Sequence, residues 1–239
     1  MKVAVSSASF DAQLRGGDLT QLEWLELCGS ELDVNGVVFD AAHFPRTDEQ
    51  YLAQLAKLAL DHGLCAAAVR TPAPIGGDDE SVNATLTRWL DVAVAVRAPL
   101  LIVRSVEAGD SAILPWQRAL RTLKLAAREA KQRNVGIAMT NAMGTLCTQA
   151  ADFKRFAKDV DSAWLRYALA PAHLSDDDIA ACRERVAIVL SSPHDITRAL
   201  QTMRGFRGYV AIETNGPDAL GIAAILSDLN RANRLHIRV

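Results

Sequence analysis

The sequence predicts an α/β protein folded as a closed (β/α)8 or TIM barrel. Short apolar, β-rich runs alternate with longer helical patterns from end to end, which favours a parallel sheet with helical crossovers. Eight such units follow one another at roughly 25 to 35 residues each, and eight units in a chain of 239 residues suit a closed barrel. The first strand is followed by SSASFDAQLRGGD, which matches neither GxGxxG nor a P-loop, so an open doubly wound sheet is the weaker alternative.

Val3 to Ser9 reads as the first strand. Thr20 to Leu32 follows as a helix with Leu22, Leu25 and Cys28 on one face. Thr20 and Glu23 stand three apart at its start, a capping box that satisfies two orphan backbone donors. Gly36 to Asp40 is the second strand, and Asp48 to His62 the second helix, with Thr47 and Gln50 repeating the capping spacing. The apolar face of that helix is Leu52, Leu55 and Ala59, and Gly63 stops it where a left-handed residue is wanted. Cys65 to Arg70, Leu100 to Arg104, Gly136 to Thr140 and Leu165 to Leu169 are strands three to six. Helices over Glu80 to Arg97, Pro115 to Asn134 and Ala150 to Val160 separate them, and a short helix starts at Ser175. Ala187 to Leu190 and Tyr209 to Glu213 are the last two strands; helices near Asp195 to Arg204 and over Asp218 to Asn233 follow them. No linker interrupts the series, so residues 1–239 read as one barrel domain.

Acidic residues number 28 and basic residues 26, a net charge of −2, so no strong field favours nucleic acid or an anionic membrane. Cys28, Cys65, Cys147 and Cys182 are scattered without a CxxC pair, the pattern of reduced thiols in a cytosolic protein. The opening MKVAVSSASF reads as a strand rather than a secretory leader. No run approaches the roughly 18 apolar residues of a membrane span. A soluble, cytoplasmic chain without a membrane partner is expected.

In a parallel barrel the site lies at the C-terminal ends of the strands. Those ends offer Ser6, Ser7 and Ser9; Asp40 and His43; Arg70; Arg104 and Glu107; Thr140 and Asn141; His173; Ser191, Ser192 and His194; and Glu213 and Asn215. Arg104, directly after LLIV, suits a phosphate or carboxylate clamp, or an ion pair capping the barrel mouth. Asp40 either serves the site or caps its loop, and His43 is near enough in sequence to share its surroundings. A carboxylate at the position of Glu213 is costly unless paired or functional. His62, at a helix end, suits its carbonyls, and His236 lies near the C-terminus. The parts of a Ser-His-Asp triad exist, but no G-x-S-x-G elbow, HExxH or EF-hand loop accompanies them.

Five segments in order, LTQLEWLELC, GVVFDAAHFPRTDEQYLAQLAKLALDHGL, LTRWLDVAVAVRAPLLIV, KQRNVGIAMTNAMGTLCT and YVAIETNG, resemble the sugar phosphate isomerase/epimerase family of xylose-isomerase-like barrels. The resemblance runs through nearly the whole chain. It implies metal-dependent isomerisation of a sugar or polyol, with Mn²⁺ or Mg²⁺ held by a Glu, an Asp, a His and a Glu ending strands five to eight. Such a set gives hard coordination, and the ion polarises substrate oxygens.

The chain departs from that pattern. Thr140 stands where GIALEN would have its Glu, Ala170 replaces the Asp of LDPxH, and Leu190 falls at the His position. Asn141 and His173 match their motifs, and Glu213 alone keeps a ligand. One carboxylate does not hold a hard dication against water, and Thr140 is too weakly basic to act as a general base. No metal or other cofactor is therefore expected. The expected partner is a small sugar-like molecule, bound by Asp40, His43, Arg104, Thr140, Asn141 and Ser191. An active isomerase using Glu213 and His173 as acid/base groups, with Arg104 stabilising an oxyanion, is the alternative. A barrel serving assembly is a third reading, and barrels of this kind often form homodimers.

Overall fold

The computed structural model describes residues 1–77, 79–109, 112–192, 194–203, 205–214, 221–222, 224 and 226–227. Eight parallel strands close on themselves in sequence order, each hydrogen-bonded to the next and the last to the first. They are β1 (Lys2–Ser6), β2 (Gly36–Asp40), β3 (Cys65–Arg70), β4 (Leu100–Val103), β5 (Gly136–Thr140), β6 (Leu165–Leu169), β7 (Val186–Ser191) and β8 (Tyr209–Ile212). Between them run α1 (Asp11–Gly16), α2 (Gln21–Ser30), α3 (Glu49–Asp61), α4 (Asp79–Ala95), α5 (Ile113–Arg133), α6 (Ala150–Val160), α7 (Asp176–Cys182) and α8 (Ile196–Thr202).

Alternation along each strand divides the apolar residues into two layers. The larger cluster fills the space between strands and helices. Within it Phe10, Trp24, Phe39, Phe44 and Trp89 meet in succession, with ring centroids 5.3 to 6.5 Å apart. Edge-on and tilted contacts of this kind add to the burial of large apolar surface. A second, separate cluster contains Ala4, Val38, Ala67, Ala68, Ile102, Ala138, Ala168, Ile188, Leu190 and Ala211. One or two residues from every strand meet there, so it is the barrel lumen.

Local signals placed several boundaries. The capping box at Thr20 is formed, with Glu23 accepting from the Thr20 N–H at 2.8 Å and the Thr20 hydroxyl accepting from the Glu23 N–H at 3.2 Å. Gly63 takes φ +68°, the left-handed conformation that ends α3 without a Cβ penalty. Strands β2, β3, β5 and β6 and helix α6 have the expected bounds.

Other expectations are corrected, among them the last two strands: β7 runs Val186–Ser191 rather than from Ala187 to Leu190, and β8 stops at Ile212 rather than Glu213. The first strand stops at Ser6, whose hydroxyl accepts the Ala8 N–H and turns Ser7–Phe10 into a 3₁₀ segment leading to α1. Helix α3 is capped not by Thr47 but by Asp48, which accepts the Tyr51 N–H at 3.1 Å; the Thr47 hydroxyl accepts from Arg88 instead. On α2 it is Trp24 that is fully buried beside Leu25 and Cys28, while Leu22 is half-buried. Strand four ends at Val103, one residue before Arg104. Asn215, His236 and most of the helix expected over 218–233 lie outside the described residues, although Ile222 and Leu226 are buried.

Candidate ligand site at the barrel mouth

The lumen columns lead upward to the site. Alternation from Ala4, Val38, Ala68, Ile102, Ala138, Ala168, Leu190 and Ala211 turns Ser6, Asp40, Arg70, Arg104, Thr140, Ala170, Ser192 and Glu213 towards the C-terminal mouth. Leu190, only 5% exposed, lies one layer down in the β7 column. The sequence-predicted residues Asp40, Arg104, Thr140 and Glu213 thus share one inward ring. Asn141 and Ser191 follow the opposite parity, and His43 and His173 sit on the 3₁₀ segments after β2 and β6.

A salt-bridge network occupies the mouth. The Arg70 guanidinium donates to the carboxylate of Glu213 and, at 3.4 Å, to that of Asp40. All three side chains are about three-quarters buried or more, with 23%, 27% and 19% of their surface exposed. Burial disfavours the charge on Arg70, but the fields and hydrogen bonds of Glu213 and Asp40 outweigh it, and its pKa is held above the ordinary value. Asp40 also caps the turn after β2, accepting the Ala42 N–H at 2.9 Å. The two roles weighed for Asp40 from the sequence, loop cap and site residue, are therefore compatible. Arg70 stood among the strand-end residues, but its bridging position could not be read there, because β3 and β8 are distant in sequence.

Glu213 is positioned through its backbone. Its N–H donates to the Ser191 carbonyl at 3.0 Å, continuing the β7–β8 ladder past Ile212. Beside it the buried Ser9 hydroxyl donates to the Ile212 carbonyl at 3.2 Å and accepts the Thr214 N–H at 3.0 Å, clasping the end of β8.

A second polar chain supports Asp40. The Asp40 N–H donates to the Ser7 hydroxyl at 2.9 Å; Ser7 Oγ lies 2.8 Å from His43 Nδ1, and His43 Nε2 lies 2.8 Å from Asp11 Oδ1. The His43 hydrogen bond holds the Asp11 carboxyl below its ordinary value, against an opposing effect of burial and with help from Arg15. An ionised Asp11 accepts only, so Nε2 carries the proton, and Nδ1 of a neutral ring accepts from Ser7. These residue types are those of a Ser-His-Asp triad, but Ser7 is fully buried and its oxygen already accepts the Asp40 amide. The chain holds the β2 turn, and His43 is buried rather than solvated in its loop.

Asn141 ties two strand ends together. Its amide nitrogen donates to the Ala170 carbonyl at 2.8 Å, and its oxygen accepts the Ala170 N–H at 2.9 Å. Buried Ser191 donates to the Ser192 carbonyl at 3.0 Å, and Thr140 makes a long 3.4 Å contact with the Asn141 carbonyl. Arg104 and His173 are exposed, and their side chains make no hydrogen bond or ion pair among the described residues; the Arg104 carbonyl accepts the Ile75 N–H at 2.8 Å. No group of three or more His, Cys, Asp or Glu side chains that could hold a metal occurs among those residues.

Three comparisons place the chain. A search of curated proteins finds no match. Among solved structures, the family 2 AP endonuclease of Brucella melitensis superposes with a TM-score of 0.76 at 17% identity, covering 95% of this chain and 99% of that one. The probable 3-DHS dehydratase AsbF of Bacillus anthracis gives 0.80 at 14% identity over 96% and 99% of the two chains. The D-psicose 3-epimerase of Clostridium cellulolyticum H10, solved with D-tagatose, gives 0.75 at 15% identity over 95% and 89%. Likeness at such identities establishes the fold alone, and the three proteins are named for different activities. The family model of the xylose isomerase-like TIM barrel matches residues 29–233. With that match over most of its length and a closed barrel of eight parallel strands, the chain is a member of the xylose isomerase-like TIM barrel family.

Proposed function

We propose that this barrel binds a small, sugar-like molecule at its C-terminal mouth without a divalent metal and without metal-dependent catalysis. The carrying observation is the bridging of Asp40 and Glu213 by Arg70. The metal that the family resemblance implies would draw on the ends of β5 to β8, where this chain has Thr140, Ala170, Leu190 and Glu213. Only the last is a strong oxygen donor, and a guanidinium already engages it. A dication there would meet the fixed positive charge of Arg70, which proteins do not deprotonate. The residues present do not fit the ion.

They do suit hydroxyl groups. Two largely buried carboxylates and the Thr140 hydroxyl offer acceptors in one inward ring, and Arg104 and His173 add polar groups near the rim. Orientation by a few convergent polar groups is the usual logic of a small-molecule site. Behind the ring, His43, Asn141 and Ser191 act through backbone they hold in place. The reading includes a cytoplasmic location, in keeping with four free thiols, and a homodimer as the expected assembly.

Thermal unfolding against a panel of sugars and sugar phosphates, with and without EDTA, tests the reading. A saturable rise in Tm that survives EDTA is expected, with no stoichiometric Mn, Mg, Co or Zn in the purified protein. An ion bound through Glu213, or ligand binding that EDTA abolishes, would overturn it. Deuterium wash-in at a substrate carbon, lost in Glu213→Gln, would instead establish Glu213 as an acid/base group.

A further inference from the structure

We propose that the opposite, N-terminal end of the barrel carries a second small-molecule site, one that takes an oxyanion on a flat apolar body. A groove of about 490 Å³ opens there, lined by Pro99, Leu100, Asn134, Gly136, Ala163, Trp164, Arg166, Val186 and Ala187. Its volume lies within the range of small-molecule pockets. These residues stand at the starts of β4 to β7 and in the turns leading into them, a full strand length from the Arg70 network.

Two features make the groove selective. The first is charge. Arg166 continues the inward column of Ala168 downward and is exposed, and its side chain makes no hydrogen bond or ion pair among the described residues. No acidic residue lines the groove. Lys2 and Tyr209 lie in neighbouring inward columns at the same end, with the Lys2 ammonium 5.4 Å from the centre of the Tyr209 ring. Arg166 therefore brings a positive charge to a groove with no acid in its walls, whereas Arg70 at the mouth is already engaged by two carboxylates. A guanidinium without a protein acceptor is a ready fork for phosphate or carboxylate.

The second feature is shape. Gly136 contributes no side chain where alternation aims one into the lumen, and a Cβ there would come within 3.1 Å of Leu100 Cδ2. The missing side chain leaves the floor open between Leu100 and the half-buried Trp164. Pro99, Leu100, Ala163, Val186 and Ala187 are apolar, and the Trp164 ring supplies a flat surface. Such walls favour an aromatic or similarly flat body over a bare inorganic ion.

The test uses phenyl phosphate, with phenol and inorganic phosphate as the separated halves. Binding is followed by thermal shift and by the indole N–H resonances in a ¹H–¹⁵N spectrum, with Trp164→Phe identifying the Trp164 signal. Phenyl phosphate is expected to move that signal saturably and to bind about tenfold more tightly than either half. Arg166→Gln is expected to weaken binding about tenfold or more, whereas Arg104→Gln at the other end leaves it unchanged. Two results overturn the proposal: no movement of the Trp164 signal at millimolar phenyl phosphate, or binding that Arg104→Gln removes and Arg166→Gln does not. Arg166 is exposed and unpaired, so its substitution does not endanger the fold.

Discussion

Arg70 and Glu213, separated by 143 residues, form an ion pair across the barrel mouth that joins the end of β3 to the end of β8. The strands they terminate are not hydrogen-bonded neighbours, since β1 and β2 stand between them. The pair therefore spans the opening rather than following its rim, and Asp40 on β2 completes it.

Replacing Arg70 by Met leaves two carboxylates facing one opening with no cation between them. A loss of about 1–3 kcal/mol in stability is expected, below the range for fully buried pairs because part of each side chain is wet. The same change is expected to create measurable affinity for Mn²⁺ or Mg²⁺, which the native chain lacks under the reading above. Urea denaturation and calorimetric titration with either ion check the two halves. Unchanged stability together with no ion binding would show that the network does not govern the mouth.

Asn141 makes both of its bonds to the backbone of Ala170 while 4% exposed. Asn141→Ala orphans a buried N–H and a buried carbonyl at once, for an expected loss of about 2–4 kcal/mol. Asn141→Asp keeps an acceptor for the Ala170 N–H but turns a carboxylate oxygen towards the Ala170 carbonyl, and is expected to be no better tolerated. The urea midpoint should fall with little change in slope.

The Ser7–His43 contact permits a double-mutant cycle. Ser7→Ala strips the Asp40 N–H and His43 Nδ1 of their partner, at an expected cost of about 1–3 kcal/mol. Combined with His43→Phe, the total loss should be smaller than the sum of the single losses, because the second change removes one of the groups the first leaves stranded. Additive losses would mean that the two side chains act separately.

Acid stability has an assigned sign. Asp11 is held low chiefly by its His43 hydrogen bond, and Asp178 chiefly by the Ser175 hydroxyl, each against an opposing effect of burial. A carboxyl whose folded value is depressed adds stability at pH above its unfolded value, about 4, and loses it as pH falls through the folded value. Asp178→Asn should therefore flatten the acid limb of a stability–pH profile while leaving the neutral-to-alkaline limb parallel to that of the native chain. Asp178 also accepts the Ala150 N–H, which joins α7 to α6, so some loss at neutral pH accompanies the change.

The barrel was legible because its signals are local. The capping box at Thr20, the left-handed Gly63 and the bounds of β2, β3, β5 and β6 depend on residues a few positions apart. The start of α3 was misassigned because Thr47 and Asp48 are both competent caps, and Arg88, on α4, takes the Thr47 hydroxyl. The end of β1 was misread because Ser7 and Ser9 fit a strand, but in the fold their hydroxyls serve Asp40 and Thr214.

By itself, then, the sequence determined a parallel eight-fold barrel and the identities of the residues at its strand ends, since strand alternation and helix periodicity are properties of short segments. Only the tertiary structure decided which of those residues meet. Closure brings β3 and β8 within reach of one guanidinium, and parity turns Thr140 and Glu213 inward but Asn141 and Ser191 outward. Contacts across the lumen arise from closure and shear, which no local pattern encodes.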